Sequence, residues 1–92
     1  MNIVNGKYPV IGTKPQEYIP HEVLIPHEKR AIENHGQTLK RLAERGGLCW
    51  TEILLILEDK PFSCKEYDKL SNDAVKNKVW QHVLKFYNYT AE

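Results

Sequence analysis

Eight residues, Trp50 to Leu57 (WTEILLIL), constrain the rest of this chain, because only Thr51 and Glu52 among them are polar. A surface helix needs a single apolar stripe, whereas a helix apolar nearly all round must be covered on most sides. The segment is therefore read as the central core helix, running from about Trp50 to Asp59. Pro61 closes it, since the residue before a proline avoids the helical region. Cys49 stands in the N-cap position with Glu52 three residues on, the spacing of a capping box, although a thiol is a poorer acceptor than a serine or aspartate oxygen.

The flanking segments supply the cover. Ile32, His35, Leu39, Leu42 and Ala43 follow one helical face while Lys40, Arg41, Glu44 and Arg45 fall on the other, which predicts a first helix from about His27 to Arg45. Gly46-Gly47 stops it, because the residue past a helix C-terminus often takes a positive φ. Ser63-Cys64-Lys65-Glu66 repeats the capping box and predicts a short helix through Leu70. Ser71 or Asn72 then opens a final helix to about Tyr87, with Val75, Val79, Trp80, Val83, Leu84, Phe86 and Tyr87 as a broad apolar face.

Residues 1–26 hold four of the five prolines and cannot form a long helix. Asn5-Gly6, between Ile3-Val4 and Lys7-Tyr8, is a short β-hairpin signal. The run Tyr18 to Ile25 is apolar enough to lie across the helices as an extended arm. The expectation is a mainly α single domain over residues 1–92, three or four helices with an irregular N-terminal arm (1–26) and a helical core (27–88). Thirteen Lys and Arg against twelve Asp and Glu lack the basic footprint of phosphate-backbone binding, so direct DNA binding is disfavoured. No apolar run reaches the roughly 20 residues of a membrane span. The N-terminal residues lack a signal peptide's charged and apolar regions, so the expected location is the cytosol. There, two cysteines read as thiols or metal ligands before a disulfide.

The order Leu42-Ala43, Gly46-Gly47-Leu48, Cys49, then a short helix ending at Lys60-Pro61, resembles the helix-turn-helix of lac-repressor-type regulators. A recognition helix presents polar or basic side chains to base edges, and Trp50 to Leu57 does not. A regulator of phage or prophage genes is the alternative reading. Over about half the chain, Pro26-His27, Asn34-His35-Gly36-Gln37-Thr38-Leu39, Arg41-Leu42-Ala43 and Arg45-Gly46-Gly47-Leu48 with Glu52 resemble small accessory proteins of phages and prophages of Gram-positive bacteria. Proteins of that size and setting include anti-CRISPR inhibitors, some of which bind zinc and block a type II CRISPR nuclease. The resemblance implies a non-enzymatic, stoichiometric inhibitor in the cytosol of a bacterial host, covering a guide- or DNA-binding surface.

The soft-ligand candidates are His21, His27, His35, Cys49, Cys64 and His82, without the tight spacing of a zinc motif. If the first two helices run antiparallel, Cys64 returns toward His27, and His21 reaches the same end. The least strained structural zinc site is then His21, His27 and Cys64, completed by His35 or His82. His35 on an apolar stripe also reads as a core histidine. No phosphate loop, nucleophile elbow or repeated acidic motif is present, so no enzyme is expected. Any aromatic left exposed becomes a candidate partner anchor.

Overall fold

In the computed structural model, which describes residues 6–90, the core is built where the apolar run demands it. The elements in order are β1 (Lys7–Pro9), β2 (Tyr18–Pro20), α1 (His21–Leu24), a 3-10 turn (Ile25–His27), α2 (Glu28–His35), α3 (Leu39–Glu44), α4 (Trp50–Leu57) and α5 (Asn72–Thr90). The protein is mainly α-helical with one short two-stranded antiparallel sheet. Trp50 and Ile53 through Leu57 are all buried, and α4 packs chiefly on α5. The capping box at its start is present, and its strong half is Glu52, whose Oε1 accepts the Cys49 N–H at 3.1 Å. Arg45 pairs with the same carboxylate. The helix stops at Leu57, two residues before the expected end. Asp59 takes φ +57°, its N–H donates to Ile56 O at 3.1 Å and the Lys60 N–H donates to Leu55 O at 2.8 Å. This paired closure satisfies carbonyls left open at a helix C-terminus.

The single first helix expected from His27 to Arg45 is two helices. Gly36, at φ +68°, ends α2, and Thr38 starts α3 by accepting the Arg41 N–H on Oγ1 at 3.1 Å. The break splits the predicted stripe. Leu39, Leu42 and Ala43 are buried, while Ile32 is 44% exposed.

The N-terminal region does more than lie across the helices. Tyr8, Val10, Ile19, Val23 and Leu24 belong to the same buried cluster as α4. β1 and β2 pair with Lys7 opposite Pro20, Tyr8 opposite Ile19 and Pro9 opposite Tyr18. The hairpin expected around Asn5-Gly6 rests partly on Ile3, Val4 and Asn5, which lie outside the described residues. Its other arm, Lys7-Tyr8, pairs with β2. The extended arm expected over Tyr18 to Ile25 is extended only to Pro20, after which the chain turns helical. The Gly46-Gly47 turn docks on this sheet: the Leu48 N–H donates to Pro9 O and the Ile11 N–H to Leu48 O, each at 2.9 Å.

The short helix expected from Ser63 to Leu70 is replaced by turns. Glu66 pairs with the Lys60 ammonium instead of capping Ser63, and N–H groups of Cys64, Asp68 and Leu70 bond carbonyls three residues back. Ser71 does open α5, accepting the Ala74 N–H on Oγ at 3.2 Å. Near that end Lys76 ties helix to sheet loop: its Nζ lies 2.7 Å from one Glu17 carboxylate oxygen and 2.9 Å from the other, and 5.6 Å from the Trp50 ring centroid.

Candidate functional site

α5 is the longest helix, and its spacing divides it into a core face, an outward face and two polar edges. Val75, Val79 and Val83, four residues apart, are buried, with Trp80 and Phe86 packed partly beside them. That line takes the core, so Leu84, one residue past Val83, points outward and is 62% exposed. Tyr87, three residues further on, shares its face and is 37% exposed.

Each edge of this face is pinned to another part of the chain. On one side the Tyr87 hydroxyl donates to Glu22 Oε1 of α1 at 2.5 Å, and that hydrogen bond to a carboxylate pushes the phenol up to about 12. On the other, His82 Nε2 donates to Glu58 Oε2 at 3.0 Å, and the Tyr67 hydroxyl donates to Glu58 Oε1. Glu58 thereby joins the end of α4, the turns of residues 61–70 and α5. An open cleft of about 220 Å³ lies here, lined by Glu58, Lys78, Gln81, His82 and Lys85.

The four sequence-proposed zinc ligands go separate ways. His21 Nδ1 donates to the Gly6 carbonyl. His27 Nδ1 lies 3.4 Å from Asp59 Oδ1. His35 Nδ1 accepts the Phe62 N–H at 3.2 Å, and its ring stacks on the Phe62 ring. Cys64 Sγ lies 4.0 Å from Glu66 Oε2. Of the other candidates, His82 pairs with Glu58 and Cys49 caps α4. Among the described residues no group of three or more His, Cys, Asp or Glu is placed to hold a metal ion.

His35 is half-buried, with its ring stacked on Phe62, and is not one of the buried core residues. Burial pushes its imidazole below the ordinary value, with Glu52 opposing through its charge, and its Nε2 is buried without a hydrogen-bond partner. A depressed value means the folded state holds the proton less tightly than the unfolded chain. Its contribution to stability is thus complete above about pH 6.5 and is lost as pH falls through the depressed value. Thermal melts of the wild type from about pH 7.5 to about pH 5 are expected to fall more steeply than those of His35→Gln, which keeps an acceptor for Phe62. Parallel slopes would show that His35 is not the acid-sensitive group.

The sequence marks Tyr87 and Leu84 as part of the apolar face of the final helix and His82 as a candidate ligand, and it does not single out Glu58, Lys78, Gln81 and Lys85 as a group. The available signal was the spacing of 78, 81, 82 and 85, which puts those four side chains on one helical flank. No protein-family model, curated protein or solved structure matches this chain.

Proposed function

We propose that this protein is a stoichiometric binding protein whose contact face is the outward side of α5, and that its partner is a host type II CRISPR nuclease whose guide- or DNA-binding surface it covers. The observation that carries the binding reading is Leu84, 62% exposed beside Tyr87 on a helix anchored at both edges through Glu22 and Glu58. Apolar and aromatic side chains held in place before contact lose little freedom on binding, which is what interface anchors require. The nuclease as partner is supported by the sequence resemblance alone. The regulator reading is weakened by α4, because the helix in the recognition position is buried at Trp50 and from Ile53 to Leu57.

The test mixes the purified protein with purified nuclease, guide-free and guide-loaded, and reads co-elution and target cleavage. A one-to-one complex with reduced cleavage is expected. Leu84→Glu is expected to weaken binding at least tenfold, about 1.4 kcal/mol, with an unchanged melting temperature. Neither complex nor inhibition would remove the nuclease as partner. Salt-sensitive binding to duplex DNA would favour the regulator instead.

A further inference from the structure

The cleft beside α5 is independent of the apolar face and makes its own chemical demand. Lys78 and Lys85 are separated by two helical turns, about 10 Å along the axis, and Gln81 and His82 lie between them on the same flank. Two lysines, a glutamine and a histidine therefore line one opening together with Glu58. Glu58 is the one acid among the lining residues, and both its oxygens are occupied, one by the Tyr67 hydroxyl and one by His82 Nε2. Asp59, next to Glu58 in the chain, faces His27, and Glu66 pairs with Lys60. Glu58 thus holds the imidazole in place, and the two lysines outnumber this single carboxylate among the residues that line the cleft.

The geometry points to a binding site for a phosphomonoester dianion in this cleft, with Lys78 and Lys85 supplying charge and the Gln81 amide orienting the oxygens. A dianion matches two ammonium groups, and three terminal oxygens match donors arriving from several directions, as a single carboxylate does not. A volume of about 220 Å³ leaves room for part of the group to which the phosphate is attached.

The probes are inorganic phosphate and phenyl phosphate, titrated at low ionic strength into the full chain and followed by calorimetry and by the amide and imidazole resonances of Gln81 and His82. Saturable binding with a Kd of about 1 mM or tighter is expected, with shifts centred on residues 78–85. Lys78→Gln/Lys85→Gln is expected to weaken binding at least tenfold. Lys29→Gln/Lys40→Gln, which removes the same charge from exposed positions on α2 and α3, is expected to leave it within twofold. Phenyl phosphate binding tenfold tighter than inorganic phosphate would mark an attached phosphoryl group as the natural ligand, and equal affinity the free ion. Absence of saturation, or equal losses in the two double variants, would overturn the site. Leu84→Glu is expected to leave phosphate binding unchanged, so failure of the contact face and failure of the cleft are read separately.

Discussion

Gly47→Ala is expected to lower stability by roughly 3 kcal/mol or more, a large share of what a chain this size holds. Two effects act together. Gly47 sits at φ +125°, where an L side chain is strained. An added Cβ would also press on the backbone of β1, standing 2.9 Å from the Pro9 carbonyl carbon and closer still to its oxygen. That carbonyl cannot retreat freely, because it accepts the Leu48 N–H at 2.9 Å and Val10 and Leu48 form the bridge between turn and sheet. Gly46 separates the two causes. It has φ +123° but nothing within 4 Å of the place an added methyl group would take, so Gly46→Ala carries only the backbone strain, about 1–3 kcal/mol. Urea unfolding of the two variants decides the matter. Equal losses would mean that the close approach to Pro9 contributes nothing.

That docking of turn on sheet shows where a sequence stops being readable. The Gly46-Gly47 stop is legible because a positive φ is a local requirement, and α4 because eight nearly apolar residues admit no exposed placement. The partner of the turn is not legible: Pro9 lies 38 residues away, and no spacing rule connects them. The break between α2 and α3 was present in the sequence as Gly36 followed by Thr38, a stop and a cap, but the apolar spacing from His35 to Leu39 continues across it and concealed it. At Ser63 the reverse occurred. The local capping pattern is not used there, and Glu66 pairs instead with Lys60, six residues before it. The candidate site follows the same division. The exposed edges of α5 share a helical spacing that can be read, whereas Glu58 looks like a solvated helix end until the fold brings Tyr67 and His82 to its two oxygens. Leu84 was misplaced because the predicted apolar face of α5 was wider than the surface α4 offers it, and the valine line fills that surface first. The histidines and Cys64 carried no motif, so their company was decided wholly by tertiary packing.

Trp50→Ala is expected to cost about 4 kcal/mol, the second large effect, and its comparison with Lys76→Gln asks what joins the sheet to the helices. Trp50 is 2% exposed, faces Trp80 with ring centroids 6.4 Å apart, and has the Lys76 ammonium 5.6 Å from its own ring centroid. A buried indole removes roughly 150–250 Å² from water, an upper bound of about 4–6 kcal/mol. The Lys76–Glu17 pair is about one-third exposed on both sides, where ion pairs contribute about 0.2–1 kcal/mol. Burial should therefore dominate, with the lysine adding its charge over the ring as a smaller coupled effect. Urea unfolding of both single variants and the double variant is expected to give a coupling of about 0.5–1 kcal/mol. If Lys76→Gln proved as costly as Trp50→Ala, the sheet would be held by charge and the buried ring would be filler. If Trp50→Ala cost under about 1 kcal/mol, α4 would not be the element on which the rest of the chain is packed.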